Sequence, residues 1–282
     1  MHLSDKYNFL TDYFTKLLSN KTNRFPQSIL FYGSDFDAQY SLAKEIARLL
    51  NCKEGQKDDC ECLNCKWIRG NSHPAVMTIS KIDNKPADDD SKTVISIKQS
   101  ALIKETLVSS SEFHRVFIFC DKDENGNISG LNKDNFQAET ANSLLKIIEE
   151  PQPGVTFIFL TRYIEDLLST IISRSQCFYV PKLSNECREP YREVLNIIDN
   201  YWSTDRKQVF EISQKLMDLS KDIPVLDILD DIHTYILRTL KNNPKNHKLI
   251  KHIEILEEGK KQAQLGIKPI NIFDDICLKI IK

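Results

Sequence analysis

What this sequence lacks narrows it first. No apolar run is long enough to cross a membrane, since the longest, "RVFIFC" and "GVTFIFL", have the length of strands. No export signal is visible. Together these predict a cytoplasmic chain with no membrane partner. No charge of one sign is in excess: the net charge is −2, and from Asn185 onward Lys+Arg and Asp+Glu balance at 16 against 16. That balance argues against a protein that grips nucleic acid mainly through its own basic field. No internal repeat recurs. Without export, the eight cysteines are expected as thiols or metal ligands rather than disulfides.

What is present is ordinary in bulk and informative in order. Hydrophobic residues make up 41% and charged residues 28%, as in globular proteins, and 282 residues suffice for two domains. Strand-like segments (Ser28–Tyr32, Val76–Ile79, Val116–Cys120, Thr156–Leu160, Cys177–Val180) alternate with helix-like ones (Asp37–Asn51, Ile97–Ser109, Gln137–Glu149, Tyr163–Ile171). This alternation predicts an α/β domain with a mostly parallel sheet over residues 1–181. Two polar stretches, "KIDNKPADDDSKT" and "KDENGNISGLNKDN", read as surface insertions. Beyond Pro181 leucines and isoleucines recur at spacings of three and four ("VLNIIDNYW", "VLDILDDIHTYILRTL", "LIKHIEIL"), so residues 182–282 read as a separate helical domain.

The stretch "SILFYGSDFDAQYSLAKEIARLL" has the strand–loop–helix order of a phosphate-binding loop but not its residues. A working loop reads G-x-x-x-x-G-K-[ST]. Counting from Gly33, the required Gly, Lys and Ser/Thr fall on Ala38, Gln39 and Tyr40. Alanine does not readily take the backbone angles that turn N–H groups toward a phosphate. Glutamine brings no charge, and the Tyr40 hydroxyl sits too far out on its ring to hold Mg²⁺. Lys44 lies five residues further on, about 7.5 Å along the helix axis. Asp35 and Asp37 stand where a triphosphate would lie, and a like-charge contact at ~4 Å costs about 4 kcal/mol. No bound ATP and no ATPase activity are expected.

Cys52, Cys60, Cys62 and Cys65 fall within fourteen residues, "CKEGQKDDCECLNC". Four thiolates suit one tetrahedral structural zinc, and they leave no position for a catalytic water. The charged loop between them has no core of its own, so a metal staple has something to stabilise. His73, preceding Pro74, reads as structural.

The run "ETANSLLKIIEEP" (139–151) carries a resemblance. With "RFPQSILFYG" (24–33), the four cysteines, "NSHP" and "LLSTIISRS" (167–175), in that order, the sequence resembles the delta-prime subunits of the bacterial DNA polymerase III clamp loader. The resemblance covers the first ~180 residues. It implies an AAA+-like P-loop NTPase fold followed by an all-helical C-terminal collar. It also implies a hetero-oligomeric ring with gamma/tau ATPase and delta subunits that loads a sliding clamp onto primed DNA. Lys122 stands where the catalytic glutamate of that fold belongs, after Asp121. The family's S-R-C motif, which projects an arginine toward ATP on a neighbouring subunit, is here Ser173-Arg174-Ser175. The resemblance therefore implies a trans-acting role for Arg174, where spacing alone suggests a surface ion pair. The helical lid that usually follows this motif has little room and is expected to be reduced or missing. Leu144, Leu145 and Ile148 are expected to face the core; Lys146 is either solvated or close to DNA phosphate.

"DKDENGNISGLN" (121–132) imitates a calcium-binding EF-hand loop, but its twelfth residue is Asn132 rather than glutamate and a strand precedes it. It reads as a polar turn. Two other functions compete with the clamp-loader reading: a divergent but active AAA+ ATPase, which micromolar nucleotide binding would reveal, and a zinc-containing nucleic-acid-binding protein, which salt-sensitive DNA binding would reveal.

Overall fold

The computed structural model describes residues 7–19, 25–55, 59–87, 89, 95–136, 138–149, 152–180, 207–242 and 247–281. The chain divides into two compact units, residues 1–180 and 181–282.

The first unit is built on five parallel strands: β1 (Ser28–Tyr32), β2 (Val76–Ile79), β3 (Arg115–Phe119), β6 (Val155–Thr161) and β7 (Gln176–Tyr179), in the order β2-β3-β6-β1-β7. It is the α/β, AAA+-like arrangement expected. Every residue of β1, β3 and β6 is buried, as the inner strands of a parallel sheet covered on both faces must be. Side-chain alternation divides these strands between two cores. Ile29, Phe31, Val116, Ile118, Ile158 and Leu160 form one apolar cluster with helices α1 (Asn8–Ser19) and α2 (Phe36–Asn51). On the other face Phe117 stacks on Phe157 and Phe119 on Phe159, across the β3–β6 register, with ring centroids 5.5 and 4.8 Å apart. Because β1 has β6 on one side and β7 on the other, its C-terminal end is a topological switch point, where open α/β sheets form their ligand crevice. The loop at Gly33 opens there.

Short elements complete this unit. Helix α3 (Leu63–Arg69) lies within the cysteine segment. Helix α4 (Ile97–Val108) starts at a capping box in which Ser96 and Gln99 satisfy each other's backbone N–H groups. Helix α5 (Ala138–Glu149) buries Leu144 and Ile148, while Leu145 is half-buried and Lys146 exposed. The EF-hand-like stretch is a hairpin, β4 (Asp121–Lys122) with β5 (Ile128–Ser129). Its Asp123 carboxylate accepts the Asn127 backbone and side-chain N–H groups at 2.8 and 2.7 Å, and so closes a turn.

One expected element is different. The helix read over Tyr163–Ile171 is a 3₁₀ turn, Ile164–Asp166, an extended pair at Leu167–Leu168, and then a four-residue helix α6 (Ser169–Ile172). The Thr161 hydroxyl lies 2.9 Å from both the Leu131 and the Tyr163 carbonyls, between which its one proton is shared, and the Tyr163 carbonyl takes its backbone bond from Asp166 rather than Leu167. The chain is thus tied down as it leaves β6, and the tighter i→i+3 pattern wins.

The second unit shows only helices among its described residues: α7 (Lys207–Leu219), α8 (Val225–Asn242), α9 (His247–Gln264) and α10 (Pro269–Ile281). Ile228, Leu229, Ile232, Leu256, Phe273 and Ile276 sit at its core. Gly259 permits close approach of α9 and α10, since a Cβ there would stand 2.5 Å from Ile276 Cδ1. The segment "VLNIIDNYW" and the position expected for a lid, residues 181–206, lie outside the described residues.

Candidate functional site

The loop after β1 is closed upon itself. Gly33 has φ +136°, and a Cβ there would lie 2.4 Å from the Val180 carbonyl oxygen, so only glycine fits. Its N–H, which a phosphate would need, donates instead to the Thr161 and Arg162 carbonyls at 3.2 and 3.1 Å. Gln39, at the position of the phosphate-binding lysine, is fully buried. Its amide Nε2 donates to the Gly33 carbonyl at 2.8 Å and to the Thr161 carbonyl at 3.2 Å. The side chain that would reach out to phosphate thus reaches back and ties β1 to β6. Ala38 is buried as well.

Asp35 refines the electrostatic argument. It is the N-cap of α2, and its carboxylate accepts the Ala38 N–H at 3.0 Å. The positive end of the helix, where an anion would dock, already faces an internal carboxylate. Asp37 is exposed in the first turn. The Tyr40 hydroxyl meets Thr78 Oγ1 at 2.8 Å and faces away from the loop's backbone. Lys44 is turned elsewhere, donating to the Arg69 carbonyl at 3.2 Å.

At the end of β3 the acidic position is neutralised. Asp121 Oδ2 receives Lys81 Nζ at 2.6 Å, and Lys122 Nζ pairs with Asp83 Oδ2 at 2.9 Å. Each of these two carboxylates is thus engaged by a lysine ammonium.

Arg174 follows the C-terminus of α6. Its guanidinium makes an ion pair with Glu149 Oε1 at 2.7 Å and donates to the Thr170 carbonyl at 3.1 Å and to Ser173 Oγ at 3.2 Å. The side chains of Arg174 and Glu149 are 37% and 44% exposed. An ion pair that open to solvent contributes under about 1 kcal/mol and is readily exchanged. Ser175 is taken up locally, bonding Ser28 Oγ at 2.7 Å.

The four cysteines converge. Cys52 ends α2, Cys62 is the N-cap residue of α3, and Cys65 lies in its first turn. Asn64 Nδ2 donates to the Asn51 carbonyl at 2.7 Å and Arg69 Nη1 to the Cys60 carbonyl at 3.0 Å, fixing the two chain segments to each other. All four sulfurs lie within 4.8 Å of one another, with Cys52 and Cys60 Sγ 3.5 Å apart. Sulfurs each bound about 2.3 Å from a tetrahedral ion stand about 3.8 Å apart. The spacing and the all-sulfur donor set fit a metal ion and are compatible with zinc. Backbone N–H groups of Cys65 and Lys53 draw the Cys62 thiol down to about 6, whereas burial pushes Cys65 up. A divalent cation removes that conflict by holding all four as thiolates. Among the described residues no other cluster of metal-capable side chains converges this way. His73 stands apart from it, buried, with Nδ1 accepting the Ala75 N–H at 3.2 Å.

Two participants escape a reading of the sequence. The Thr161 carbonyl, which closes the loop, and Glu149, which holds Arg174, carry no motif of their own; only strand register and the end of a helix bring them into place. No helix among the described residues is long and apolar enough to cross a membrane.

Comparison with known proteins gives this geometry a family. The chain is 29% identical to the DNA polymerase III subunit delta′ of Bacillus subtilis, over 57% of this chain and 44% of that protein. It is 28% identical to the DNA polymerase III subunit gamma/tau of Mycoplasma genitalium, over 61% of this chain and 26% of that protein. These matches span less than half of each relative's length. A solved gamma-subunit-related protein of DNA polymerase III from Thermotoga maritima aligns with 95% of this chain and 97% of its own, at 12% identity and a TM-score of 0.41. Residues 10–184, more than half of the chain, match the family model described as DNA polymerase III, delta subunit, and the chain belongs to that family, with the delta-prime subunits of the clamp loader.

Proposed function

We propose that this chain is a non-catalytic delta-prime subunit. It stands in a hetero-oligomeric ring with gamma/tau ATPase and delta subunits and helps place a sliding clamp on primed DNA. The observation that carries the reading is the closed loop. The Gly33 N–H, the Gln39 amide and the N-terminus of α2 are each committed to internal partners. A triphosphate would have to displace all three and would meet the Asp35 carboxylate.

Its contribution to ATP chemistry is then made across an interface. Arg174 acts in trans on the γ-phosphate bound by a neighbouring subunit, with Ser173 beside it. Such an arginine typically raises the rate ~10³–10⁵-fold. The weak pair with Glu149 suits this role, since the guanidinium exchanges one oxyanion for another. Cys52, Cys60, Cys62 and Cys65 hold a structural zinc that staples the segment between α2 and α3. Residues 182–282 form the collar, with a reduced or missing lid, and the assembly works in the cytoplasm.

The test is a reconstituted complex carrying Arg174→Ala. Its ATPase rate is expected to fall at least tenfold with assembly unchanged. An unaltered rate and normal clamp loading would remove the trans role.

A further inference from the structure

A cavity of about 140 Å³ opens beside the closed loop, between α2, α3 and the edge strand β2. Tyr40, Lys44, Asn71, His73, Thr78, Asp83, Asn84 and Lys122 supply its polar lining, whereas Gly33, Asp35 and Gln39 take no part in it. It is therefore separate from the place where a P-loop holds phosphate.

The chemistry of its walls is one-sided. His73 offers a ligand no donor, because its Nδ1 accepts the Ala75 N–H at 3.2 Å and its Nε2 is sealed away from any space a ligand atom could fill. Lys44 gives one N–H to the Arg69 carbonyl and Lys122 gives one to Asp83. Each ammonium has three donors, so both keep donors to spare. The two like charges also act on each other, for burial and Lys122 together draw the Lys44 pKa down. Against two lysines stands the single carboxylate of Asp83, leaving the lining net positive. Such a site calls for a compact anion that accepts hydrogen bonds and donates few.

Size narrows the class. At roughly 30 Å³ per water-sized group, the cavity holds about four to five heavy atoms. A tetrahedral oxyanion has five, and a nucleotide is far too large. We propose that this cavity binds a small oxyanion of the inorganic-phosphate class, held between Lys44 and Lys122. The ion relieves the repulsion between the two ammonium groups.

The test is calorimetric titration of the full-length protein with inorganic phosphate, in buffer free of other oxyanions. One saturable site is expected, with a dissociation constant on the order of 1 mM or tighter. Lys44→Met and Lys122→Met are each expected to weaken it at least tenfold. Equal thermal stability confirms folding; Lys44→Gln and Lys122→Gln serve if either variant unfolds. Lys104→Met, an exposed charge on α4, is expected to bind as the wild type does. Pyrophosphate binding at the same residues more tightly than phosphate would overturn the assignment to a single tetrahedral oxyanion. Absence of saturation in the wild type would overturn the proposal and leave a solvent-filled cavity. So would affinity indifferent to Lys44 and Lys122.

Discussion

Replacing Gln39 by alanine isolates what holds the loop shut. The amide donates to two carbonyls in the interior. The Thr161 carbonyl retains the Gly33 N–H at 3.2 Å, but the Gly33 carbonyl loses its donor. An unsatisfied buried acceptor costs about 1–3 kcal/mol, and removing the rest of a fully buried side chain adds a cavity cost. Part of this is returned, because Gln39 Oε1 is itself without a partner and its burial is relieved. The balance is about 2–4 kcal/mol, which for a chain of this size lowers the melting temperature by about 5–15 °C. Thermal unfolding of the full chain, followed by circular dichroism, reads this directly. Gln39→Lys is expected to destabilise as well, by burying an ammonium among carbonyls, and to gain no nucleotide. A Gln39→Ala protein melting within about 2 °C of the wild type would refute the reasoning, because the amide would then not be what closes the loop.

Two further predictions concern the rest of the first unit. The His114 ring, whose Nε2 meets Thr156 Oγ1 at 2.9 Å, is kept neutral by burial, which lowers it to about 4 from the ordinary 6.5. The folded state thus prefers the unprotonated ring. This contribution is complete above pH 6.5 and drains away as pH falls through 4, by about 3 kcal/mol in all; urea titrations of His114→Gln across that window should show a flatter profile. Metal analysis of the purified protein should find one zinc per chain, lost in Cys65→Ser. Because binding displaces thiol protons, affinity should weaken as pH falls, and a preparation with four freely titratable thiols at neutral pH would contradict the assignment.

The sequence carried the strands in nearly final form, because runs such as Val116–Cys120 and Thr156–Leu160 are apolar on both faces and short. The departures at Ala38, Gln39 and Tyr40 were equally legible, since a phosphate loop demands particular residue types at fixed spacing. What these residues do instead was not. Gln39 finds its acceptor on Thr161, 122 residues away, and nothing local announces that contact. Asp35 read as a repulsive charge and proved to be a helix cap, two roles with the same electrostatic consequence for a phosphate. The helix expected over Tyr163–Ile171 also failed. Its apolar spacing is helical, but the Tyr163 carbonyl is taken by the Asp166 N–H, an i→i+3 bond that opens a 3₁₀ turn instead. The convergence of the cysteines was readable because all four fall within fourteen residues, whereas the Arg174–Glu149 pair joins two helix ends that no periodicity relates.

The central claim is that this subunit has no nucleotide site of its own. Equilibrium titration of the full-length chain with a fluorescent ATP analogue and Mg²⁺ tests it most directly. The account predicts no saturable binding at millimolar nucleotide, and none is gained when Asp35 is replaced by asparagine. Saturable binding at micromolar concentration, abolished by substitution of Gly33 or Gln39, would contradict it.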